Sequence, residues 1–175
     1  FHIMDTHKLY FYTCTINNWI PILQKPFRKD ILIDSLQFLV ERDKLAVYGF
    51  VIMPNHFHAI LEIINWNGKE SPIASFKKYT GHQLIQSLKS DPKALRELKV
   101  DWKDRNFDIW QPKSRSVHLY SPEVIYQKLD YIHHNPVSGK WNLAEDFTLY
   151  EYSSASFYYS DSGQFSFLTH IKDRI

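Results

Sequence analysis

The chain has 175 residues, 44% hydrophobic, 23% charged and 16% aromatic, with a net charge of +2 and a pI near 8.5. That length suits one domain with a substantial core, and the charge is too mild to attract nucleic acid by bulk electrostatics, leaving room only for a local basic track. A single cysteine, Cys14, excludes an intrachain disulfide framework and fits a reducing, cytoplasmic setting; no apolar run approaches the ~18–20 residues that span a bilayer, and no secretory signal pattern opens the chain.

One domain is expected over residues 1–175, with residues 1–8 a disordered or non-native start and residues 141–175 a C-terminal extension. Leu9 to Ile16 is rich in aromatic and β-branched residues and reads as a first strand. Trp19 to Leu23 continues it loosely up to Pro26. From Phe27 to about Arg42, Ile31, Leu32, Leu36, Leu39 and Val40 recur at helical spacing. Leu45–Met53 and His56–Ile64 form a hairpin, and Pro54 is tolerated because it lies in the turn.

Ser71 and Pro72 supply an N-cap and a first helical residue for a second helix running to Leu88, with Gly81 weakening its middle. Residues 91–108 read as a short helix and a loop. Ile109–Gln111 and Ser116–Tyr120 make an interrupted fourth strand region. Ser121-Pro122-Glu123 opens the last helix, which Pro136 ends. The aromatic, serine-rich tail from Trp141 is expected to be partly packed, irregular chain. This order of elements predicts an α+β fold, an antiparallel sheet sandwiched with helices in the ferredoxin-like or RNA-recognition manner.

Two features point to chemistry. Side chains on a strand alternate faces, so His56 and His58 point the same way while Phe57 enters the opposite layer. Two imidazoles one strand step apart can grip a divalent cation, although such a pair alone is more often incidental. In the last helix Ile125, Leu129 and Ile132 form the buried stripe. Tyr131 and Asn135 lie one turn apart on a neighbouring face, where a phenol and a carboxamide could meet the histidines.

Met53-Pro54-Asn55-His56-Phe57-His58, followed by Tyr131-Ile132-His133-His134-Asn135-Pro136-Val137, resembles the single-tyrosine HUH transposases of the transposase-like insertion-sequence family, and most of all the REP-associated tyrosine transposases. Phe76–Thr80, Trp110-Gln111, Gln127–Asp130 and Tyr152-Ser153-Ser154 support the likeness, which covers roughly residues 9–158. It implies an HUH fold in which His56 and His58 are metal ligands and Tyr131 is the nucleophile. Asn135 would be the third ligand, through its amide oxygen, where some relatives carry a longer glutamine. It further implies a Mg²⁺ or Mn²⁺ cofactor, single-stranded or hairpin DNA as substrate, a homodimer, and cleavage and rejoining through a 5′-phosphotyrosine.

Lys77, Lys78, Lys113, Arg115, Lys128 and Lys140 are the candidates for phosphate contact, with Trp110 as a base-stacking partner. His118, His133 and His134 are expected beside the site or at the surface. Two other functions fit parts of the pattern. A non-catalytic DNA or RNA hairpin-binding module would not need all four site residues, and a water-using phosphodiesterase would not need the tyrosine. A histidine-triad nucleotide hydrolase would need a further histidine where Ile60 stands.

Overall fold

The computed structural model describes residues 4–101, 106–160 and 163–175. Its strands are β1 (Leu9–Thr15), β2 (Leu45–Ile52), β3 (His56–Ile63) and β4 (Arg115–His118). Its α-helices are α1 (Pro26–Glu41), α2 (Pro72–Ser87), α3 (Pro92–Glu97), α4 (Pro122–His134) and α5 (Ala155–Tyr159). The strands form one antiparallel sheet in the order β2-β3-β1-β4, the α+β architecture that the sequence predicts.

Four of the helices begin with proline, whose missing N–H costs nothing in a first turn. Ser71, Asp91 and Ser121 precede three of these prolines. Their side chains accept from the backbone N–H of Ala74, Ala94 and Val124 and so satisfy otherwise orphaned donors.

Residues opposite one another on antiparallel strands share a face. Val51, His58, Thr13 and Arg115 therefore form one row across all four strands, and Ile60, Phe11 and Val117 belong to the next. The other face carries Phe57 and Cys14. It packs against α2, with the Phe57 and Phe76 rings 5.5 Å apart, and α1 lies beside α2. Helix α4 covers the His58 face over β2 and β3. It settles closely because Gly49 has no side chain: a Cβ there would fall 2.7 Å from Leu129 Cδ1 and 3.1 Å from Ile132 Cδ1.

An uncovered edge strand invites unwanted pairing. The outer edge of β2 is instead capped by the C-terminal residues. Tyr152 O accepts from Ile52 N–H at 2.9 Å, Ser154 N–H donates to Phe50 O at 3.0 Å, and Thr169 N–H donates to Val47 O at 3.0 Å. The tail is thus more ordered than its sequence suggests. Tyr150 Oη donates to Ile52 O at 2.7 Å, and Lys29 lies 4.4 Å from the Tyr152 ring centre.

Three further segments take a definite form in the structure. Residues 4–8 belong to the fold, since Met4 is buried, Thr6 bridges Ile63 and His7 N–H donates to Ile63 O at 2.9 Å; residues 1–3 lie outside the described part. The segment after β1 does not extend the strand. It makes two short 3₁₀ turns, at Asn17–Trp19 and Ile22–Gln24, with Asn18 and Trp19 at φ of 55° and 58°. Helix α2 runs unbroken through Gly81. Residues 102–105 of the expected loop lie outside the described part. Among the described residues no helix is long and apolar enough to cross a membrane.

Candidate active site

His56 opens β3 directly after the Pro54–Asn55 turn, and that turn is clamped by the chain following β1. Ile16 N–H donates to Asn55 O at 2.8 Å and Leu23 N–H to Pro54 O at 2.9 Å. The Asn55 amide is oriented by its surroundings: Nδ2 donates to Trp19 O at 3.0 Å, so Oδ1 faces His56 Nδ1 at 2.7 Å. An oxygen acceptor at Nδ1 requires a proton there and leaves the lone pair on Nε2. His58 is oriented by its cross-strand neighbour: its Nδ1 lies 2.7 Å from Thr13 Oγ1, a hydroxyl able to donate or accept. Each ring is therefore anchored through Nδ1, with Nε2 as its remaining donor position.

The two rings lie 4.8 Å apart between centres and are inclined by 70°. Phe11 stacks on His58 at 5.2 Å. From α4, Tyr131 brings its ring to 5.5 Å from His58 and 5.9 Å from Phe11. The apolar stripe Ile125, Leu129 and Ile132 is buried as predicted, which places Tyr131 at the rim of the contact, 48% exposed. Its phenol thus touches the site and faces solvent. Asn135, one turn on, is buried beside His56. Thus the structure brings His56, His58, Tyr131 and Asn135 together.

Burial holds both histidines neutral. It pulls His56 down to about 4, with the Asn135 side chain opposing the shift and the Lys140 charge adding to it. His58 falls to about 3, through burial first and then the neighbouring His56 and Lys128. Neutral imidazoles offering Nε2, with an amide oxygen close by, fit a divalent cation that accepts mixed nitrogen and oxygen donors. Among the described residues no three His, Cys, Asp or Glu side chains gather into a metal-binding group. The candidate donors are neutral, two imidazoles and an amide.

The candidate cations divide between the two faces. Lys128 Nζ lies 5.2 Å from the Phe11 ring centre and 5.7 Å from that of Tyr131. Lys140 rests on Trp141 at 5.1 Å, and Trp141 in turn lies 6.3 Å from His56. Arg115 is in the sheet row of Thr13 and His58. Lys77 and Lys78 stand on α2, behind the sheet, where Lys77 donates to Gln111 O at 3.0 Å and Lys78 lies 4.0 Å from Glu70. Lys113 is exposed beside Trp19.

Trp110 corrects the sequence reading. It is only 3% exposed, packs near Phe76 and donates from Nε1 to Thr80 Oγ1 at 3.0 Å, so its indole is core and has no face open to a base. His133 is likewise internal: its Nε2 lies 2.9 Å from Ser154 Oγ, beneath the rings of Tyr158 and Tyr159. His134 pairs with Asp130 and Phe147, and His118 is exposed beside Tyr10. Sequence reasoning missed Thr13 and Asn55, the residues that aim the two imidazoles. Asn55 could have been suspected from its place in the turn; the pairing of Thr13 depends on a register that the sequence does not display.

No family model and no curated protein matches the chain. Among solved structures, the chain is similar to a REP-associated tyrosine transposase bound to a REP hairpin, at 17% identity and a TM-score of 0.61, over 90% of this chain and 82% of that one. It is also similar to a candidate transposase from Deinococcus radiodurans R1, at 17% identity and a TM-score of 0.45, over 74% of this chain and 92% of that one. At such identity the first of these likenesses is one of fold.

Proposed function

We propose that this chain is a DNA transposase that cuts and rejoins single-stranded DNA through Tyr131. The observation that carries the reading is the meeting of Tyr131 with two neutral, Nδ1-anchored histidines and Asn135 on one sheet face. The fold shared with a REP-associated tyrosine transposase supports it.

Tyr131 Oη would attack the scissile phosphorus, forming a 5′-phosphotyrosine as the bond to the 3′ oxygen breaks. The phenol proton is lost and the 3′ oxygen leaves as a hydroxyl. A later 3′-hydroxyl reverses the step without ATP, because the phosphodiester linkage is conserved in the adduct. His56 and His58, through Nε2, and Asn135, through its amide oxygen, would hold Mg²⁺ or Mn²⁺. When bound, such an ion makes the phosphate more electrophilic and offsets its developing charge.

The neutrality of the donor set has a use here. With no carboxylate among the residues that would hold it, an ion bound there would keep its charge for the DNA phosphate. Lys128, beside the phenol, Lys140 and Arg115 would meet flanking phosphates on the same face. The strand must be unpaired at the cut, and a flanking hairpin would identify the end. One tyrosine gives one cut per site, so two ends call for a homodimer acting in the cytoplasm.

The test is incubation with labelled single-stranded hairpin DNAs and Mn²⁺ on a denaturing gel, beside Tyr131→Phe. A slow protein–DNA band is expected from the wild type and is absent from the variant. Cleavage that survives Tyr131→Phe would overturn the tyrosine mechanism in favour of water attack.

A further inference from the structure

Beside the histidine end of the sheet lies a second feature that the core does not require. Trp19 is 59% exposed, although an indole is among the most costly side chains to leave in water. It is held there by an unusual backbone, because Asn18 and Trp19 are consecutive non-glycine residues at φ of 55° and 58°. Bulky residues rarely occupy that region, and such strain persists only where surrounding bonds over-determine it. Here Trp19 N–H donates to Ile16 O at 3.0 Å, Asn18 Nδ2 to Glu97 O at 2.9 Å, and Trp19 O accepts from Asn55.

With Asn17, Asn18, Gln111, Pro112 and Lys113, Trp19 lines an open cleft of about 440 Å³. The cleft adjoins the site through the sheet: Gln111 N–H donates to Thr15 O at 2.8 Å, and Thr15 is the cross-strand partner of His56. It is joined to the site a second time by two hydrogen bonds, Asn55 to Trp19 O and His56 to Asn55. The Gln111 carboxamide has no hydrogen-bond partner among the described residues. An aromatic plane, a carboxamide and an ammonium suit one ligand class: a nucleobase stacked on the ring, read on its edge, with its phosphate near Lys113.

We infer that the Trp19 cleft binds an unpaired nucleobase of the DNA strand that enters the His56–His58 site, and so fixes the strand's register relative to the scissile phosphate. This rests on the proposed DNA-cleaving function. The Trp19 carbonyl belongs to the backbone, so removing the indole deletes the stacking plane and leaves the Asn55 anchor in place.

The experiment is fluorescence anisotropy with two fluorescein-labelled strands, an oligothymidylate and an abasic strand of equal length, against the full chain, Trp19→Ala, Trp19→Phe and Trp66→Ala. Expected is about a tenfold weaker binding of oligothymidylate by Trp19→Ala. Trp19→Phe should keep most of the affinity and Trp66→Ala all of it, and the abasic strand should bind all four proteins alike. Equal oligothymidylate affinity for wild type and Trp19→Ala overturns the cleft, as does an equal loss on both strands, which would mark a structural effect. If the Tyr131 adduct forms while either holds, the cleavage reading stands without the cleft. If the wild type neither binds DNA nor forms an adduct, both fall.

Discussion

On β3 two histidines are separated by one residue, and on α4 two are adjacent. Alternation along a strand sends His56 and His58 to the same side, while neighbours on a helix diverge by about 100°. His133 accordingly turns inward to Ser154 and His134 outward to Asp130. Burial depresses three of these rings to similar values, about 4 for His56, about 3 for His58 and about 4 for His133. Neutrality therefore does not separate a ligand from a structural histidine. What separates them is where Nε2 points: the strand pair opens onto Tyr131 and Asn135, and His133 onto the hydroxyl that joins the tail to β2.

The largest break in this comparison should come from His58→Ala, which is expected to lower Mn²⁺-dependent adduct formation by more than about 100-fold while the protein still folds. Removing the anchor and keeping the ring is milder. Thr13→Val should weaken Mn²⁺ binding by about 10–100-fold, read by calorimetric titration, and unchanged affinity would show that Thr13 does not aim His58.

The pH dependence of stability tests all three buried rings at once. Their folded pKa values lie below the ~6.5 of an unfolded histidine, so between those limits the unfolded chain binds more protons. Stability should hold above pH ~7 and decline as pH falls from ~6.5 toward 4. Each ring contributes at most about 1.4 kcal/mol per pH unit, as urea unfolding at several pH values would measure. A flat profile between pH 7 and 5 would contradict the burial of these rings. His133→Ala should cost about 1–3 kcal/mol of unfolding free energy, with adduct formation at low temperature largely kept. The exposed His134→Ala should change stability by no more than about 0.5 kcal/mol.

Periodicity carried the sequence reading where an element has one apolar side. The stripe of Ile125, Leu129 and Ile132 and the alternation at His56-Phe57-His58 are such cases, and the faces they predict are the faces the structure has. Cross-strand partnership left no such mark. Thr13 faces His58 because of a register that side-chain pattern alone leaves open. Trp110 misled because a lone aromatic residue near a proline looks alike in sequence whether it fills a core or a surface. The left-handed pair Asn18–Trp19 was hidden because only the bonds around it, from Asn55 and Glu97, make that backbone tolerable. The tail is held by hydrogen bonds to the β2 edge, which need no hydrophobic pattern.

A Cβ at Gly49 would meet none of the four candidate residues, yet its absence bears on the helix that carries Tyr131. The absence of a methyl group on β2 sets the clearance at which Leu129 and Ile132 seat α4, and Tyr131 rides on the turn between them. A side chain at Gly49 would press first on the terminal methyl groups of Leu129 and Ile132, the residues on either side of Tyr131 that seat α4 on the sheet. The seat of the helix that carries Tyr131 thus depends on a position with no chemistry of its own.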